Sequence, residues 1–211
     1  MSKEKKIREL TEIIHKNDAG YRSSSNIHFL LYLVGLMIAV LAIRAFVFEP
    51  IRVDGESMLN TLVDTERCMV EKVSYWFVPP KSGDVVIVHY PDRGNTTFVK
   101  RVIATAGQTV EIKAASDKGS ASPYVVYIDG EPLDESAYLD TLCFDAPVVS
   151  TIIQYGDHTC TVPEGSVFVM GDHRSNSHDS RYSEVGVIPL SEVIGRVRGV
   201  MYPIGSIRPV H

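Results

Sequence analysis

The chain has no excess of positive charge: 21 Lys and Arg stand against 26 Asp and Glu, a formal net charge of −5 over 211 residues. Bulk composition therefore offers no cationic surface for wrapping nucleic acid, and no nucleic-acid partner is expected. Cysteine is scarce as well. Cys68, Cys143 and Cys160 include no C-x2-C pair, which speaks against a zinc site. They read as small buried hydrophobes, with Cys143 and Cys160 able to form a disulfide and Cys68 left over. No internal repeat is present, and low complexity is confined to Ser23-Ser24-Ser25 and an Ala/Ser/Gly-rich stretch at 114–122. With 45% hydrophobic and 22% charged residues, the chain is an ordinary folded protein.

Its apolar residues are unevenly spread. Ile27 to Ile43 reads IHFLLYLVGLMIAVLAI, 17 residues broken only by His28, with Arg44 and then Ala45-Phe46-Val47-Phe48 beyond. If Arg44 snorkels to the headgroups, this reaches the roughly 20 residues that cross a bilayer as a helix. A core helix would show a polar face, which this run lacks. A cleavable leader would end in a small-x-small exit, whereas here RAFVFEP follows, so the segment is expected to remain as an anchor at 27–48. Residues 1–26 carry six Lys/Arg and four acids, against 14 basic and 22 acidic residues from 48 onward. The positive-inside rule then keeps the tail 1–26 in the cytoplasm and places 49–211 outside. Within the tail, Ile7, Leu10, Ile13 and Ile14 fit either a short amphipathic helix on the inner membrane surface or a frayed solvated segment.

Beyond the anchor come short runs rich in Val, Ile, Tyr and Phe: RCMVEKV (67–73), DVVIVHY (84–90), TFVKRVIAT (97–105), QTVEIK (108–113), YVVYIDG (124–130), SVFVMGD (166–172) and GRVRGVMYP (195–203). Gly, Pro, Asp and Ser clusters separate them, and few helical segments intervene. The pattern predicts a mainly β protein: one N-terminal transmembrane helix followed by an antiparallel β-rich domain.

Three segments carry more polar detail than a β-core needs. In VDGESMLNTL (53–62), Ser57 follows Gly55-Glu56; it is not the G-x-S-x-G elbow, since position 59 is Leu, nor S-x-x-K, since position 60 is Asn. Alone it reads as a turn serine. In FVKRVIA (98–104), alternation puts Lys100 on the side of Phe98 and Val102. It is either an edge-strand lysine that discourages aggregation or a buried amine, neutral near physiological pH and able to act as a base. GDHRSNSHDSR (171–181) has no aliphatic side chain and follows a core-like strand, as a network that fixes other groups would. His173 and His178 with Asp172 and Asp179 could ligate a metal, but no further ligand cluster accompanies them. A Ser-His-Asp triad with Ser57 is the other option.

In order, and after a single span, these three segments resemble the signature boxes of the bacterial type I signal peptidases, membrane-bound Ser/Lys endopeptidases. The matching stretches are D-G-x-S-M with Ser57 and Met58, V-K-R-V with Lys100 and Arg101, and G-D-x-R-x-N-S-x-D-S-R with Asp172, Arg174, Asn176, Ser177, Asp179, Ser180 and Arg181. The resemblance implies a Ser57 nucleophile whose backbone N–H serves the oxyanion hole, a Lys100 general base, and Ser177 orienting the Lys100 amine. It implies ion pairs Asp172–Arg101 and Asp179–Arg181, and small-side-chain pockets lined by residues such as Met58. The substrates would be signal peptides of exported preproteins, cut after small residues at −1 and −3, and the chain would reside in the bacterial cytoplasmic membrane without metal or cofactor. A smaller inserted β-region is expected at about 107–165. Gly55 stands where some relatives carry a serine as second oxyanion donor, and His173 and Ser175 replace the common Asn and Asp. The eukaryotic-type enzymes use His for the base. Self-cleaving Ser/Lys repressors share the chemistry but begin with a helix-turn-helix, and a β-domain that only binds a partner would leave the polar box without purpose.

Overall fold

A computed structural model describes residues 3–90, 94, 96–114, 124–139 and 159–211. The chain divides into two units, Met1–Phe46 and Val47–His211. The first is a single helix α1, Lys3–Phe46. The tail is thus neither a separate short helix nor frayed: it runs without interruption into the apolar segment. Nothing in it forces a break, for it has no proline; Gly20 and residues such as Asn17, Asp18, Ser23, Ser24 and Ser25 lower its propensity without ending it. Asn26–Arg44 is 19 residues long and apolar enough to cross a membrane, about 28 Å at helical rise. Side chains such as Phe29, Leu31 and Ile38 are exposed. The helix ends at Phe46, and Pro50 further disfavours helical backbone at Glu49, already within the following extended segment.

The second unit is antiparallel β throughout. Its strands are β1 (Phe48–Arg52), β2 (Arg67–Glu71), β3 (Val85–His89), β4 (Thr97–Thr105), β5 (Thr109–Ala114), β6 (Tyr124–Ile128), β7 (Glu131–Pro132), β8 (Thr159–Thr161), β9 (Ser166–Met170), β10 (Ile188–Pro189), β11 (Val193–Tyr202) and β12 (Arg208–Pro209). The large sheet has the order β1-β2-β11-β3-β4-β9-β10, with β12 on β11, and the smaller one β7-β6-β5-β8. The strands of the smaller sheet are drawn from Thr109–Ala114, Tyr124–Ile128, Glu131–Pro132 and Thr159–Thr161. Seven strands coincide with the apolar runs read from sequence. The five others, β1, β7, β8, β10 and β12, are short: four of them are only two or three residues long, and β1 contains proline.

Why the sequence of β3 is almost wholly apolar is clear from its two faces. Val85 and Ile87 enter a core with Val53, Met58, Leu62 and Val70. Val86 and Val88 enter another with Val102, Val169 and Ile188. The strand is covered on both sides, so alternation of polar and apolar residues disappears. Each such buried Val or Ile contributes roughly 1.5–3 kcal/mol relative to exposure. A third core joins the two sheets: Ile103, Ala104, Phe168 and Met170 pack with Val110, Ile112, Val126 and Cys160. Cys68 and Cys160 are buried free thiols, and burial raises both, Cys68 to about 11. Cys143 lies outside the described residues, and with it the possible disulfide.

Candidate active site

Strand β4 pairs with β3 along Thr97–Arg101, so that Lys100 lies opposite Val86 and Phe98 opposite Val88. On its other side it pairs with β9 only from Arg101 onward, where Arg101 meets Met170. Among the described residues, the edge of β4 from Thr97 to Lys100 therefore has no strand beside it. The loop after β1 comes to this end of β9. Ser57 accepts a backbone hydrogen bond from His173 at 3.0 Å, and Gly55, at φ +99°, turns the chain with its amide on Asp64. That φ suits glycine and strains other residues.

At this meeting point Lys100 Nζ lies 2.7 Å from Ser57 Oγ. Lys100 is only 2% exposed. Burial is the main cause that lowers its amine from 10.5 to about 8; the charges of Asp179 and Asp172 oppose the shift, and Arg181 assists it. An amine at that value is partly neutral near physiological pH and can take a hydroxyl proton.

The polar loop after β9 supplies the surroundings. Arg101 binds Asp172 through Nε and Nη2 at 2.9 and 2.8 Å, and Arg181 binds Asp179 through Nε and Nη2 at 2.8 and 2.9 Å. Both carboxylates are fully buried. Burial alone would raise Asp179, yet Arg181, the Ser177 hydroxyl and the Gly171 amide hold it below its ordinary value. Thr61 donates its hydroxyl to Asp172, tying the loop that carries Ser57 to the same carboxylate. Gly171 has no room for a side chain: a Cβ there would stand 2.2 Å from Ser177 Oγ and 2.4 Å from the Ser57 carbonyl.

Ser177 is buried beside these groups. Its hydroxyl donates to Asp179 Oδ2 at 2.6 Å, and no hydrogen bond from it to the Lys100 amine occurs among the described residues. The two histidines go elsewhere. His173 Nδ1 meets the Glu56 carbonyl at 3.0 Å, and His178 lies against Tyr182 with Nε2 3.6 Å from Glu184. Neither histidine ring meets the Ser57 hydroxyl, and among the described residues no group of three or more metal-ligating side chains is found.

A groove of about 390 Å³ is lined by Ser57 together with apolar Ile51, Val53, Met58, Phe98 and Val99 and polar residues such as Asp54 and Thr97. Met58 is the lining residue that the sequence named for a substrate pocket. Also missed in the sequence were Glu135 and Tyr138, on the segment after β7. Glu135 pairs with the buried Arg174, and Tyr138 lies over Arg101 with 3.9 Å between Cζ and the ring centroid. Neither belongs to a motif, and only the contacts single them out.

A serine hydroxyl held against a buried, partly neutral amine beside an apolar groove has the chemistry of a serine peptidase. The family model described as "Signal peptidase, peptidase S26" matches residues 26–202, and the chain belongs to that family. It is 39% identical to the probable signal peptidase I-1 of Synechocystis sp. over 181 residues, covering 82% of this chain and 80% of that protein. It is 37% identical to a signal peptidase I of Bacillus licheniformis, covering 82% and 86%. A crystal structure of a signal peptidase I from Enterococcus faecalis aligns with 56% of this chain and 97% of its own, at 29% identity and a TM-score of 0.42.

Proposed function

We propose that this chain is a membrane-anchored Ser/Lys endopeptidase that removes signal peptides from exported preproteins. The observation that carries the reading is the 2.7 Å contact between Ser57 Oγ and the buried Lys100 amine. In the neutral form, Nζ accepts the Ser57 proton as Oγ attacks the scissile carbonyl, and the resulting ammonium then protonates the leaving amine. The Ser57 N–H serves the oxyanion, a contribution of about 3 kcal/mol for one such donor. Water, deprotonated by Lys100, releases the acyl group and regenerates the serine. Ser177 and the two buried ion pairs hold the loop that positions these groups. Ser177 acts on Lys100 through Asp179, the carboxylate to which its hydroxyl donates.

Helix α1 spans the bacterial cytoplasmic membrane through Asn26–Arg44, with the basic tail inside and Val47–His211 on the outer face. The substrate adds as an extended strand along the open edge of β4, with alternate side chains entering the apolar groove at Met58, Val53 and Phe98. Signal peptides, themselves anchored by an apolar segment, present their cleavage site near the same membrane surface, which raises the effective concentration. The test is one preprotein carrying Ala, Leu or Phe at −1 and −3, incubated with the full chain in detergent micelles. Cleavage of the Ala form alone is expected; equal cleavage of all forms would overturn the specificity, and no cleavage in any would overturn the activity.

A further inference from the structure

The smaller sheet sends the segment after β7, residues 133–139, onto the polar network behind the dyad. Leu133 remains tied to its own sheet by a backbone bond to Val126. Ser136 caps Asp134 through its amide and hydroxyl, and the amides of Tyr138 and Leu139 close a turn on the Glu135 carbonyl. This turn fixes two side chains at once. Glu135 binds the guanidinium of Arg174 with both oxygens, and Arg174 Nε donates to the Gly171 carbonyl at 3.1 Å. Tyr138 donates its hydroxyl to Glu135 and covers the face of the Arg101 guanidinium.

The two arginines touched in this way are the ones that hold the Gly171–Asp172 segment. Arg101 is 1% exposed, and its edge is fully engaged by Asp172, Thr61 and the carbonyls of Gly83 and His211. The face of its plane is what Tyr138 protects from water. Gly171, held by Arg174, has its backbone pressed against the Ser57 carbonyl and Ser177 with no space for even a methyl group. A shift of that segment is therefore transmitted directly to the nucleophile.

We infer that the 133–139 segment, through Glu135 and Tyr138, is a positioning element of the Ser57–Lys100 pair, clamping Gly171–Asp172 and sealing the buried charges behind it. Neither residue touches substrate or the reacting atoms. The inference rests on Lys100 acting as base. The charges that face the amine are Asp172, Asp179 and Arg181 from the loop after β9, with Arg101 its neighbour on its own strand; each carboxylate is already paired, so exclusion of water is what the clamp controls. Loosening it admits water, stabilises the ammonium and moves Lys100 upward.

The experiment compares Tyr138→Leu and Tyr138→Phe in the detergent-solubilised full chain on a preprotein substrate. Tyr138→Leu keeps apolar bulk but loses the aromatic face. It is expected to lower kcat about tenfold at pH 7 with KM altered less than about twofold, to move the acid limb of the profile up by about one unit, and to approach wild type near pH 10. Tyr138→Phe keeps the ring over Arg101 and should restore the profile. A deficit equal at every pH, an unmoved limb, or Phe as impaired as Leu would overturn the inference. If Tyr138→Leu does not fold, Tyr138→Met carries the same comparison. Amide exchange gives a readout independent of activity. Protection lost at Gly171 and His173 but kept at Val102 supports the clamp, and unchanged protection at all three overturns it. Failure of the base assignment looks different: wild type would then show no limb near pH 8 and Lys100→Met would stay active.

Discussion

Replacing Lys100 by Met should abolish cleavage and make the protein more stable. The amine is 2% exposed and lowered from 10.5 to about 8, chiefly by burial. Below pH 8 the native state must hold an ammonium that the unfolded chain carries in water, which costs about 3 kcal/mol. The sign follows from proton binding: between pH 8 and 10.5 the unfolded state is protonated and the native state is not, so the cost fades as pH rises through that window. Methionine has similar volume and no charge, but gives up the bond to Ser57, worth about 1 kcal/mol. The net gain at pH 7 is then about 2 kcal/mol, or about 4–8 °C in Tm for a protein of this size. Near pH 10.5 the gain should vanish or reverse. Thermal unfolding of both proteins in the same detergent at pH 7 and pH 10 reads this directly. A Lys100→Met protein less stable at pH 7, or more stable by the same amount at both values, would show that the amine is not held in a site that disfavours its charge.

Three other outcomes are expected. Ser57→Ala should lower kcat by about 10⁴-fold or more and, through loss of the bond to Lys100, lower Tm by only about 2–4 °C, measured by preprotein cleavage and thermal unfolding; retained activity would remove Ser57 from the chemistry. Wild-type kcat should rise about tenfold between pH 7 and pH 9 as an amine near 8 loses its proton, and an acidic optimum would point to a carboxylate instead. Gly171→Ala puts a methyl group 2.4 Å from the Ser57 carbonyl, so it should cost about 10²-fold in kcat through displacement of the nucleophile; wild-type kinetics in that variant would show the loop to be more yielding than its packing.

Legibility in the sequence tracked how local the physical signal was. Strand β4 was readable to the residue because TFVKRVIAT is apolar except where Lys100 and Arg101 interrupt it, and those interruptions marked the site. Strand β1 was hidden, since Phe48-Glu49-Pro50 has no alternation and its exposure pattern depends on pairing with β2. The 44-residue continuity of α1 was not foreseen either, because a charged amphipathic segment and an apolar one differ in their surroundings rather than in helical geometry. The polar box announced itself by composition, whereas Glu135 and Tyr138 sit in an unremarkable turn, about 35 residues or more from the arginines they meet. Contacts of that kind depend on how the two sheets pack, which no periodicity within either segment encodes.

The charge arrangement around Lys100 answers a chemical difficulty. A base of this type needs polar groups nearby to fix its geometry, but an unpaired carboxylate would stabilise the ammonium and leave no base at neutral pH. Here the two buried carboxylates near Lys100, and the partly buried Glu135 behind them, each bring an arginine: Asp172 with Arg101, Asp179 with Arg181, and Glu135 with Arg174. The pairs supply rigid hydrogen bonding, Arg181 works against the upward pull of Asp179 and Asp172 on the amine, and burial remains the largest influence on it. Such pairs are weak contributors to stability, because desolvation offsets most of their attraction. Breaking one is another matter: Asp172→Asn would leave Arg101 charged and uncompensated in the interior, next to Lys100. Three paired charges in one loop and its neighbours are thus better explained by what they keep away from Lys100 than by what they add to folding.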